Sequence, residues 1–324
     1  MQMEQRSERA GLLAALAAPL LLWAVRASWL WVLVGGAAAG GFYLLLCRLQ
    51  PLQDLAHVTR TVIGPGAARV LLWAQAVGLA LAGGWLLRQA DAIVPNLTRG
   101  FPWITIPLLC LAMAAVWRGP KAARATCAVL VWLPAVTAAV IVLAALPQLH
   151  GAWLRPTGRP MQLVGAFAVF LFPVVSRYTS SEKAGSGKWI LAAVAAAALL
   201  ALVTAGCLSP RLAATEPLPF FALAASSRLL GQAARFDAVL STAVAAALYC
   251  ALATLGSFTH CLTKKKSAAA IFTFYALLFL AACLVQVIPI GAVVLYLVVF
   301  WGIIPICMIV LEKAKNGENS RKRY

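Results

Sequence analysis

Between Ser267 and Leu311 the chain runs 45 residues without one Asp, Glu, Lys or Arg. A bilayer's hydrocarbon needs about 20 apolar residues per helix, so this stretch is too long for one crossing. Ile288-Pro289-Ile290-Gly291 divides it with helix breakers, and it reads as two spans. Uncharged intervals of similar length recur between basic residues along the rest of the chain. Ten spans follow, at approximately 10–25, 28–47, 70–87, 100–117, 125–147, 160–176, 189–209, 238–260, 267–287 and 291–311. Backbone polar groups in lipid must be satisfied within the segment, so each span is helical. The expected fold is an all-α integral membrane protein, with residues 1–324 forming a single domain.

Composition excludes the soluble alternatives. With 63% hydrophobic and 11% charged residues and a mean hydropathy of +0.90, the chain has too little polar surface to cover itself in water. The net charge of +18 does not mark a nucleic-acid partner, because the 27 Lys and Arg are scattered between apolar runs and not gathered on one face. Topology accounts for them. With the N-terminus in the cytoplasm, 19 fall on the cytoplasmic side and eight opposite: Arg26, Arg88, Arg99, Arg155, Arg159, Arg211, Arg228 and Arg235. That asymmetry predicts a multi-pass protein of the cell membrane with both ends cytoplasmic. Arg6 and Arg9 ahead of residues 10–25 are read as flanking a retained first span, not a cleaved leader.

Catalytic and metal chemistry find no foothold. Eight cysteines lie almost entirely inside apolar runs with no C-x-x-C spacing, and His57, His150 and His260 are far apart. No H-E-x-x-H, G-x-S-x-G or P-loop pattern occurs, and nine acidic residues, mostly in loops, cannot supply a buried acid pair. The expectation is a non-enzyme with no metal and no cofactor, surrounded by membrane lipid.

The first and sixth spans are the shortest and each contains an internal proline, Pro19 and Pro173. Matched interruptions in two halves of a chain point to discontinuous helices in an inverted-repeat transporter. The expected architecture is therefore five-plus-five and LeuT-like, with helices 1 and 6 broken. A broken helix offers backbone N–H groups at a half-helix N-terminus, which suit the carboxylate of an amino acid. Mid-span polar groups are few, Gln75, Ser241 and Thr242 among them. Ionisable groups stay at span ends: Arg88 with Asp91, and Arg235 with Asp237, are the candidates for gating or assembly. Residues 48–66 form a connection that carries a short helix, and 210–235 a longer loop with an amphipathic helix lying in the interface.

Three stretches carry a family resemblance. Trp73 through Thr98 includes Leu86-Leu87-Arg88-Gln89-Ala90-Asp91 and runs into Val94-Pro95-Asn96; Leu163 to Tyr178 contains Gly165, Phe167, Phe170 and Leu171-Phe172-Pro173; Pro217-Leu218-Pro219-Phe220 through Leu230 is followed by Arg235-Phe236-Asp237-Ala238. In order and spacing they resemble the B-subunit family of spore germination receptors, endospore germination permeases of the amino acid/polyamine/organocation superfamily. The first span departs from that pattern, reading Leu16-Ala17-Ala18-Pro19-Leu20 without internal glycines. The resemblance implies a small germinant such as an amino acid, A-type and C-type partner subunits, and the spore inner membrane. The ligand-binding candidates are Pro19, Gln75, Gly165, Phe167, Phe170, Pro173, Ser241 and Thr242. The alternatives are a secondary amino-acid transporter of the same superfamily and a ten-span drug/metabolite exporter of another fold.

Overall fold

The computed structural model describes residues 13, 16–22, 27–49, 54–91, 105–156, 160–179, 188–216, 218–226, 236–262, 267–284 and 289–321. Nearly all of them are helical. In chain order the helices are α1 (16–22), α2 (Trp29–Leu49), α3 (Leu55–Ile63), α4 (Pro65–Asp91), α5 (Thr105–Arg118), α6 (Pro120–Leu130) and α7 (Trp132–Ala145). Next come α8 (Met161–Val169), α9 (Val174–Thr179), α10 (Lys188–Leu208), α11 (Pro210–Thr215) and α12 (Pro219–Ser226). The last are α13 (Phe236–Ser257), α14 (Thr259–Leu262), α15 (Ala268–Leu284), α16 (Ile290–Leu297) and α17 (Ile304–Arg321).

Among the described residues six helical stretches are long and apolar enough to cross a membrane: Trp29–Leu49, Pro65–Gln89, Pro120–Gln148, Trp189–Leu208, Val239–Leu262 and Ile290–Lys315. Thr105–Arg118 and Ala268–Leu284 are shorter apolar helices. Proline explains where the long stretches lose regularity. Pro134 has no N–H for the Leu130 carbonyl, and the helix breaks at Val131 between α6 and α7. Pro305 likewise has none for Trp301, and a π-helical turn at Val298–Ile303 precedes it, where the Ile304 N–H donates to the Val299 carbonyl. Pro289 is the N-cap of α16, with φ −63° and ψ 130°, at the division expected within Ser267–Leu311.

The packing repeats with a shift of five expected spans. α4, the third, lies along α15, the ninth; α13, the eighth, lies along α5, the fourth. α4 also meets α16 of the tenth, as α13 meets α6 and α7 of the fifth. α2 packs on α10, a pair that the same shift exchanges with itself. Even the connections correspond: α3 packs on α4 and α17, and α12 packs on α13 and α7. Helix α12 is docked, with Phe220 and Leu223 buried against the bundle; residues 227–235 of the expected amphipathic segment lie outside the described residues.

Glycines set the closest approaches. A Cβ on Gly84 would stand 2.6 Å from the Ala282 nitrogen of α15, and one on Gly35 would stand 2.5 Å from the Leu163 carbonyl oxygen of α8. Helices without side chains at the contact gain dispersion over a longer seam, which is how apolar helices associate when lipid is as apolar as they are.

Candidate ligand site

The sixth expected span is interrupted as its proline predicts, between α8 and α9, but the interruption is closed. The N–H groups of Phe170, Leu171 and Phe172 donate to the carbonyls of Ala166, Ala168 and Val169 at 3.1, 3.2 and 3.3 Å. Those of Val174 and Val175 donate to Leu171 and Phe172 at 2.9 and 3.1 Å. Pro173 has no N–H to offer. The bonds to the third residue back tighten the chain into a turn that spends its donors internally, so the half-helix N-terminus expected to face a carboxylate presents none of these amides. In the first span, residues 16–22 are helical straight through Pro19. The expected break does not occur at that proline, since losing one N–H bond is tolerated where neighbouring turns hold the helix.

Three helical faces meet beside this turn and form a seam. Along α4 the facing residues are Trp85, Leu86, Ala82 and Leu79; along span six, Gly165, Ala168, Val169, Phe172 and Val175; along span ten, Ile290, Val293, Val294, Leu297 and Trp301. Each set steps by three or four residues, one face of a helix. Pro19 of α1 closes the upper side. The seam encloses an upper void of about 40 Å³ and a lower one of about 10 Å³. A single water needs roughly 10–15 Å³. The two voids share Ala168, Phe172 and Leu297 as walls, and Phe172 belongs to the turn itself. Among the described lining residues the side chains are apolar apart from the indole N–H groups of Trp85, on the upper void, and Trp301, on the lower one.

One further turn along α4 and span six, the seam ends on a polar floor. The Gln75 amide nitrogen donates to the Tyr178 hydroxyl at 2.8 Å and to the Phe300 carbonyl at 2.9 Å. Tyr178, Phe258 and Trp301 meet edge to face with centroids 5.1 to 5.4 Å apart. All three rings are buried. The buried hydroxyls of Thr59, Thr204, Ser257 and Thr259 are instead spent on carbonyls three or four residues back.

The remaining candidates are dispersed. Phe170 is fully buried and packs by the backbone of Gly36, where a Cβ would lie 2.9 Å from its ring. Phe167 turns the other way, edge-on to Phe42 at 6.0 Å, and lines a lateral apolar groove of about 290 Å³ with Val298, Gly302, Ile303, Ile306 and Cys307. Ser241 is half-buried and Thr242 exposed near the start of α13; neither lines the seam. Arg88 is exposed near the end of α4. Asp91 and Asp237 belong to helices but their side chains, like the whole of Arg235, lie outside the described residues. At the far end of the bundle, α3 is tied down: the Arg60 guanidinium donates to the Cys261 carbonyl, and Lys315 donates to the Thr61 carbonyl at 3.1 Å. Sequence reading missed Trp301 and Tyr178. Trp301 in mid-span, an amphipathic ring whose polar end must find a partner, was the available signal; Tyr178 lies just past the expected end of the sixth span.

No family model matches the chain and no curated protein matches it. Among solved structures it is similar to a Na+-coupled sialic acid symporter in a substrate-bound, outward-open state, with a TM-score of 0.64 at 12% identity, over 94% of this chain and 77% of that one. The fold is LeuT-like. This is a multi-pass membrane protein on a transporter scaffold, and the exporter of a different fold is set aside.

Proposed function

We propose that this chain is the membrane-embedded B-type subunit of a spore germinant receptor, which binds a small nutrient in the seam between α1, α4, spans six and ten and signals the change to A-type and C-type partner subunits. Ten spans, an inverted repeat and cytoplasmic termini belong to the same reading; a repeat unit of five crossings necessarily enters the membrane from opposite sides in its two copies. The observation that carries the proposal is a seam at the interrupted sixth span that, among the described residues, is lined by no ionisable side chain. Coupling to protons needs titrating groups in the path, whereas sensing needs only two arrangements of the same helices. The turn at Phe170–Pro173, whose Phe172 lines both voids, is the element that would switch.

Purified protein, alone and with its A-type and C-type partners, is to be scanned by thermal unfolding against amino acids, sugars, nucleosides and small uncharged alcohols and amides. A raised Tm with one class supports the seam as a binding site; no shift with any of them, alone or with partners, removes it. The similarity to a Na+-coupled symporter favours a second reading, secondary transport of an amino acid or related nutrient. Reconstituted vesicles with a sodium or proton gradient separate the two, since a sensor binds without gradient-driven uptake.

A further inference from the structure

At the foot of the seam two buried polar atoms have no partner: the Gln75 side-chain oxygen, an acceptor, and the Trp301 indole N–H, a donor. Both side chains are 1% exposed. Leaving a buried donor or acceptor unmade costs free energy, and here one of each is left in the same cluster. They are held close by shared neighbours, since Gln75 bonds to Phe300, the residue before Trp301, and to Tyr178, whose ring meets Trp301 at 5.2 Å. The Gln75 amide cannot turn over to use its oxygen, because that would aim the oxygen at the Phe300 carbonyl. Trp301 itself lines the lower void.

We infer that the seam recognises a small uncharged molecule with an apolar body and a single hydroxyl or primary amide at one end, whose polar group accepts from the Trp301 indole and donates to the Gln75 oxygen. The inference rests on the seam being the binding site proposed above and names the ligand's class. One acceptor and one donor together select a group that is both, which a hydroxyl or primary amide is and a carboxylate or ammonium is not. The apolar walls select the rest: an ionised ligand would be desolvated there with no counter-charge to meet it. Such a molecule exceeds the two voids as they stand, so its binding requires Phe172, which lines both, to move and the seam to open.

Butyramide, butyrate and butylamine share shape and differ in charge. Saturation-transfer NMR on the protein in nanodiscs is to measure each. Butyramide is expected to bind at least about tenfold more tightly than either ionised analogue, the factor that one hydrogen bond of ordinary net strength supplies. Trp301→Phe removes the donor, and so does benzothienylalanine at position 301, which keeps the full ring volume with sulfur in place of N–H. Each is expected to weaken butyramide about tenfold while the benzothienylalanine protein keeps or raises its ligand-free Tm. Equal or tighter binding of butyrate or butylamine, or butyramide affinity unchanged in both substituted proteins, overturns the inference and leaves small-molecule binding standing. A fall in ligand-free Tm on the isosteric replacement also overturns it, because the indole N–H is then already bonded. Failure of every probe and every nutrient removes both this inference and the reading beneath it.

Discussion

Gly64 and Gly66 show how far backbone conformation outweighs composition at a single residue. Gly64 joins α3 to α4 alone, with φ 83° and ψ 161°, and Pro65 opens the next helix. That region is open to glycine and costs other residues about 1–3 kcal/mol. Gly66 sits two residues on, inside α4, and a Cβ there meets nothing within 4 Å. Gly64→Ala is therefore expected to destabilise by about 1–3 kcal/mol, and Gly66→Ala to stabilise by about 0.5 kcal/mol, read as opposite shifts in Tm of the detergent-solubilised protein. Ser209 occupies similar backbone, φ 74° and ψ 149°, before Pro210. Its hydroxyl accepts from the Leu212 N–H at 3.3 Å. Glycine as an N-cap loses only a few tenths of a kcal/mol, less than the strain it relieves, so Ser209→Gly is expected to raise stability by about 1 kcal/mol. A lower Tm would show that the cap outweighs the backbone.

At the scale of elements, the six long apolar helices each fall on an expected span, and their irregularities were partly legible. The ends of α2 and α10 fall within two residues of the expected 28–47 and 189–209, because a change from apolar to basic is a local property of the chain. Prolines located the division at Pro289 but the break after Leu130 was not expected within 125–147, and Pro19 and Pro173 look alike in sequence yet behave differently, one inside a continuous helix and the other in a turn. Whether a helix opens at a proline depends on what packs on both sides of it. The glycine pattern carries a similar distinction. Gly84 faces the backbone of α15, whereas a Cβ on Gly41 of α2 meets nothing within 4 Å. Gly84→Ala is expected to push α4 from α15 and cost about 1–3 kcal/mol, while Gly41→Ala is expected to be neutral or slightly stabilising. Comparable Tm values for the two would mean that α4 and α15 have room to separate.

For the whole molecule, 19 basic residues against eight set the expected orientation. A reporter at the C-terminus tests it: a fused green fluorescent protein is expected to fluoresce and a fused periplasmic-type phosphatase to stay inactive, and the reverse would invert the chain. Spans and charge bias were determined by the sequence alone, because lipid selects for length, apolarity and the side on which cations stay, all countable along the chain. The tertiary structure decided the site. It brought Gln75, Tyr178 and Trp301 together from three segments across 226 positions of sequence, closed the turn at Pro173 by its own amides, and left Ser241 and Thr242 outside the seam. Those outcomes depend on which helix faces meet, and a helix that is apolar all round carries no polar stripe to say which face turns inward.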